Sequence, residues 1–269
     1  MKTKTMTWVA MLLIVALLTG CGAGANAGGT TTEPATTPAT DAPTTAPTEA
    51  PTAETTEPAA EETVPAEDVL SEYVTEVYAA QIERYHTALK EGWDESKYFE
   101  NEMSALASYY YDGNALENVG FGYMDLDNDG QEELFIGAIK GADQDPSIFE
   151  IWTVADGEAV MLAQGGTRNH YVLQYVEEDN MYYVVNEATV SAATNGTYYM
   201  MLIDGKLEVM QGIVFDASAD EENPWFMTYD LDWDVSNDDP IDEDMANAIL
   251  ESNRSHYVAV EYFPYTLCK

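Results

Sequence analysis

From Val119 onward the apolar residues of this chain recur at every second position, and turn-forming pairs interrupt them at short intervals. That rhythm limits the fold more than any single residue does. A period of two sends alternate side chains to opposite faces of an extended backbone, so each run reads as a strand with one face turned to a core. The runs fall at 119–124, 134–139, 148–154, 159–163, 171–176, 182–186, 197–203, 207–215 and 225–231. Asp156-Gly157, Asn195-Gly196 and Asp204-Gly205 lie between neighbouring runs. Such pairs tolerate the positive φ of tight hairpin turns, which predicts antiparallel pairing of consecutive strands.

Before Asn114 the period is helical. Pro65 suits a first turn, with Glu67 and Asp68 at its electropositive end. Leu70, Tyr73, Val74, Val77, Tyr78, Ile82, Tyr85 and Leu89 then follow at three- and four-residue spacing until Gly92, predicting an amphipathic helix. A weaker helix is predicted over 97–110, with Met103, Leu106 and Tyr110 on one side. Another is predicted over 241–252, on Met245, Ile249 and Leu250, and a last strand over 256–263. The expected fold class is α+β: an N-terminal helix or two packed on a largely antiparallel, meandering β-sheet in a single domain, residues 64–269. No internal repeat supports a propeller or a solenoid.

The segment ahead of this domain has the opposite character. Residues 22–62 are rich in Thr, Pro, Ala and Glu, with no aromatic residue and no aliphatic larger than Ala. Such a stretch cannot bury enough apolar area to offset the entropy of ordering, so 21–63 is expected to be a disordered linker. Its prolines favour polyproline II, in which some 40 residues reach about 120 Å. That is a stalk, and its threonines are possible sites for O-linked glycans.

Residues 1–20 carry Lys2 and Lys4, an apolar run over 8–18, and then Leu18-Thr19-Gly20-Cys21. The run is shorter than the ~20 residues of a spanning helix and reads as a signal peptide. The tetrapeptide resembles the lipobox of bacterial lipoproteins. That resemblance implies that Cys21 becomes the lipidated first residue. It also implies a location on the extracytoplasmic face of the bacterial cell membrane, held by the lipid anchor. An ordinary signal peptide with an incidental cysteine, or a short uncleaved anchor, are the alternatives.

The chain holds 49 Asp and Glu against 10 Lys and Arg, a formal net charge of −39. Such a surface repels phosphate backbones and anionic headgroups, which argues against nucleic acid and leaves membrane attachment to the lipid. It favours cations, although solubility alone accounts for most of the acids. With Cys21 alkylated, Cys268 has no intramolecular partner, so no disulfide framework is available. Lys269 is its only neighbouring base, and the thiol is read as incidental.

One segment carries specific chemistry. In the loop 125–133, Asp125, Asp127 and Asp129 stand at positions 1, 3 and 5, and Gly130 at position 6 permits a sharp turn. The carbonyl of Gln131 and the carboxylate of Glu133, at positions 7 and 9, can complete an oxygen shell for calcium. Three close carboxylates repel one another unless a divalent ion, protons or solvent screen them. Position 12 is Ile136, where an EF-hand has a bidentate glutamate, and the flanks read as strands. The segment therefore resembles the strand–loop–strand calcium loops of FG-GAP-type repeats. With its surrounding Gly122-Tyr123 and Leu134, and loosely through 165–168, it also resembles uncharacterised surface lipoproteins of Gram-positive bacteria. That likeness implies an extracellular α+β domain and brings no activity with it. The alternative is an acidic hairpin turn without an ion.

The other candidates are weaker. Asp230, Asp232 and Asp234 alternate with apolar residues but lack the loop glycine, so a solvated strand face competes with a second ion site. His86, His170 and His256 show no zinc spacing. Arg168 reads as an ion-pair partner or a ligand contact. The 18 tyrosines and 5 tryptophans fit core packing, with an exposed carbohydrate or peptide platform as the alternative. The expected function is a lipid-anchored, calcium-stabilised surface domain that binds a glycan or protein ligand and is monomeric. An extracellular glycan-directed hydrolase using paired carboxylates is the alternative.

Overall fold

The computed structural model describes residues 74–139, 148–177 and 180–268; the signal segment, Cys21, the linker and the start of the first predicted helix lie outside them. A helical layer comes first. After a 3-10 turn at Glu76–Tyr78, helix α1 runs from Ala79 to Glu91 and buries Ile82, Tyr85, Ala88 and Leu89. Gly92 ends it at φ 63°, its N–H directed at the carbonyls of Ala88 and Leu89. The predicted helix over 97–110 is instead two pieces: α2 (Glu95–Glu100) and a 3-10 helix, Ala105–Tyr110, each opened by a side-chain cap, Asp94 and Ser104. Ser104 is the cause of the break. Its hydroxyl donates to Gly165 O at 2.8 Å and its N–H to Glu150 Oε1 at 2.9 Å, tertiary bonds that an uninterrupted helix would forfeit. Helix α3 (Ala115–Asn118) then delivers the chain into the sheet.

The strands are β1 (Val119–Met124), β2 (Glu133–Ala138), β3 (Ile148–Ala155), β4 (Glu158–Gln164), β5 (Asn169–Val176) and β6 (Met181–Ser191). They continue as β7 (Thr194–Ile203), β8 (Lys206–Asp216), β9 (Trp225–Thr228), β10 (Asp239–Pro240), β11 (Tyr257–Val258) and β12 (Phe263–Pro264). The order is β10-β9-β8-β7-β6-β5-β3-β2-β1-β12, with β4 against β3 and β11 against β5. The pairings are antiparallel, as the hairpin signals require. The fold is α+β, short helices on a large antiparallel sheet.

Two of the three predicted turn pairs are turns: Asp156-Gly157 and Asp204-Gly205 both take positive φ. Asn195-Gly196 is not one. It lies within β7, paired to Thr189 and Ala188, and the reversal occurs two residues earlier, where Ser191 Oγ accepts from Ala193 N at 3.0 Å. Gly196 is instead explained by packing, since a Cβ there would sit 3.1 Å from the Tyr198 ring. The strand predicted over 225–231 stops at Thr228, and the one over 256–263 is divided into β11 and β12. Between those two, residues 259–262 cross β1 so closely that a Cβ on Gly122 would collide with the Glu261 carbonyl oxygen. Gly122 is therefore a site of close backbone approach.

The sheet is buried on both faces around β1–β3. Phe121, Leu134, Ile136 and Phe149 pack with Ile82, Tyr85, Leu89 and Tyr98 of the helical layer. Phe135, Ile151, Leu173, Val184, Met200 and Val214 fill the opposite side together with Leu126, which lies in the acidic loop. Helix α4 (Glu243–Arg254) is capped by Asp242 and packs Ala246, Ile249 and Leu250 near Ile213 and Ile241. Met245, predicted on that apolar stripe, is 47 % exposed; Ala246 takes the buried position.

Candidate metal centre

The acidic loop is the connection between β1 and β2, and each end is tied into the core. Leu126 is completely buried, which fixes the descending arm. Glu133 begins β2, and because Leu134 faces the helical layer, Glu133 faces the other core with Phe135. It is 1 % exposed, yet it is a carboxylate. Its Oε2 accepts from Leu126 N at 2.9 Å and its Oε1 from Thr153 Oγ1 of β3 at 3.0 Å. The turn winds around Asp125, whose two oxygens accept from Asp129 N (3.2 Å) and Gly130 N (3.0 Å). Asn128 and Gly130 both take positive φ, 58° and 90°, which lets the chain double back within so few residues.

This winding brings Asp125, Asp127 and Glu133 together, with one oxygen of each within 4.8 Å of the others. Asp129 and Gln131 serve the turn itself. Asp129 Oδ1 accepts from Gln131 N at 2.7 Å, and the Gln131 amide donates to Val154 O at 3.2 Å. Asp129 does not belong to the converging trio.

The electrostatics of the trio are unfavourable as three free anions. Burial pushes Glu133 up from 4.5 to about 7, against its two hydrogen bonds, and the charges of Asp127 and Asp129 add to the rise. Asp127 is raised for the same first reason, burial, and then by Asp129 and Asp125. Oxygen-only donors, one of them held in the core, form a cluster that could hold a metal ion. Sequence reasoning located this loop but not Thr153, which orients Glu133, because the pairing of β2 with β3 was not visible in the local pattern.

The remaining candidates are ordinary. Asp230, Asp232 and Asp234 do not form a strand face. Each accepts from the backbone N–H two residues on, at 2.8–3.1 Å, in a run of local turns. They do not gather as a metal group among the described residues. His86 is buried and stacked 6.5 Å from Tyr265, while His256 bonds to Ser252 O at 2.9 Å. Arg168 donates to the Val190 carbonyl at 3.4 Å. Cys268 is free and buried, its thiol pushed up to about 11 chiefly by desolvation. Tyr78, Tyr85, Tyr98, Tyr198, Tyr199 and Tyr265 are core residues. Half-buried Tyr175 and Tyr182, in contrast, border an open cavity of about 350 Å³ with Asn128, Asn180, Met124 and Val258. No acid is among the described residues that line it. Comparison with protein-family models, curated proteins and solved structures gives no match.

Proposed function

We propose that this chain is a lipid-anchored protein of the bacterial cell surface whose domain is stabilised by calcium in the 125–133 loop and binds a ligand or partner. The observation that carries the ion is the convergence of Asp125, Asp127 and buried Glu133 within 4.8 Å. Magnesium demands near-ideal octahedral geometry and gives up water reluctantly, whereas calcium accepts irregular oxygen shells, so calcium suits a loop of this kind. Its role is structural. It neutralises the trio, and in doing so it fixes the turn between two core strands. Affinity is expected at about 10⁻⁵ to 10⁻³ M, the range of extracellular modules. The anchor rests on Leu18-Thr19-Gly20-Cys21 alone.

Two experiments test this reading. Calorimetric titration of the chelated full-length chain should give one calcium site, weaker for magnesium and lost in Asp127→Asn. Heat absent with both ions would refute it. Metabolic labelling with a fatty-acid analogue should mark the wild-type protein and not Cys21→Ala.

A further inference from the structure

We infer that the cavity beside the acidic loop binds a neutral pyranose sugar, and that a divalent cation in the loop strengthens this binding. The inference names the ligand class for the surface domain proposed above, and only its coupling clause rests on the ion. At about 350 Å³ the cavity is at the small end of the ~300–1,000 Å³ spanned by small-molecule sites. Its walls divide the work. The rings of Tyr175 and Tyr182, 5.2 Å apart and tilted by 50°, offer an apolar surface for the C–H face of a pyranose. The amides of Asn128 and Asn180 offer the polar contacts.

Half of each amide is already committed. Tyr175 Oη donates to Asn180 Oδ1 at 3.0 Å, and Asn128 Nδ2 donates to Asn180 O at 2.5 Å. Two amide atoms are left with no partner at all among the described residues, the donor Asn180 Nδ2 and the acceptor Asn128 Oδ1. Sugar hydroxyls both donate and accept, so two adjacent hydroxyls satisfy the pair. The described lining residues carry no charge that would select an ionic ligand, and a net charge of −39 repels phosphorylated or carboxylated glycans. A neutral sugar meets all of these conditions.

The coupling follows from where Asn128 sits. It lies between Asp127 and Asp129, and Leu126 O accepts from Tyr182 N at 3.4 Å. The loop thus holds the cavity at two points. An ion that fixes Asp127 fixes the amide beside it, and by linkage a bound sugar must raise ion affinity by the same factor.

Saturation-transfer NMR on the full-length chain tests this with a panel of neutral probes. The panel comprises the methyl pyranosides of glucose, galactose and mannose together with N-acetylglucosamine. Ring protons of at least one probe should receive saturation in calcium, with a dissociation constant weaker by about five-fold or more in EDTA. Tyr175→Ala should abolish the signal while leaving the rise of melting temperature with calcium intact. Asn180→Ala serves if the tyrosine variant does not fold. Silence across the panel in calcium, or a signal that survives both variants, overturns the sugar site. If calcium raises the melting temperature and no probe binds, the sugar inference falls alone. Equal binding in calcium and EDTA without a calcium effect on melting overturns the coupling and the ion together, and upholds the sugar site.

Discussion

Replacing Glu133 by glutamine separates the cost of burying this side chain from the benefit of an ion beside it. A carboxyl whose pKa rises from 4.5 to about 7 on folding binds its proton more tightly in the folded chain. Its contribution to stability is therefore complete below pH 4.5 and is lost as the pH climbs through about 7. At pH 8 the loss amounts to about 3 kcal/mol in the absence of a cation. Glutamine has nearly the same shape and avoids the charge. Its oxygen can accept from Leu126 N while its amide donates to Thr153 Oγ1, whose hydroxyl rotates to accept. In EDTA at pH 8 the variant should therefore be about 2–3 kcal/mol more stable than the wild type, or roughly 5–10 °C higher in melting temperature for a domain of this size. With calcium a hundred-fold above its dissociation constant, the wild type should gain ~2.7 kcal/mol and the variant almost nothing, so the gap closes. Thermal melts followed by circular dichroism in the two buffers provide the assay. A variant less stable than wild type in EDTA at pH 8 would refute the electrostatic argument.

Other perturbations probe the frame around the site. Gly122→Ala should destabilise by about 1–3 kcal/mol, read by urea unfolding, because the added methyl meets the Glu261 carbonyl. Leu126→Ala should cost about 2–5 kcal/mol and weaken calcium binding as well, since this fully buried side chain anchors the loop. Cys268 should resist alkylation by iodoacetamide at pH 8 in the native protein and react at once in denaturant, its thiol being buried and raised to about 11. Glu150→Ala leaves the N–H of Ser104 and the Trp152 indole N–H without their carboxylate, and an equilibrium melt should show a loss of about 2–4 kcal/mol.

The parts of the fold that the sequence made visible are those governed by local rules. Period-two runs located β1 to β8, although β6 runs five residues past its predicted end, and Asp156-Gly157 and Asp204-Gly205 turned as their backbone preferences require. The misplacements have tertiary causes. Asn195-Gly196 has a turn composition, but it lies inside β7, paired with β6, where Gly196 makes room for the Tyr198 ring. The period over 97–110 gave no sign that Ser104 would reach across to Gly165. At the site, the spacing of aspartates identified the loop, and the structure selected among them. Glu133 was legible as a ninth position but not as a buried one, since burial depends on which face β2 turns to the core. The cavity was not legible at all, because Asn128 and Asn180 are 52 residues apart and meet only through the fold.

The crossing of residues 259–262 over Gly122 has a consequence for how the domain is assembled. Among the described residues β1 is the first strand in the chain, yet its outer flank is covered only by β12, the last. Until that late segment arrives, β1 presents unpaired amides that a neighbouring molecule could pair with. Nascent or clipped chains ending before Phe263 should therefore form intermolecular sheets, and closure of this seam should be a late event in folding.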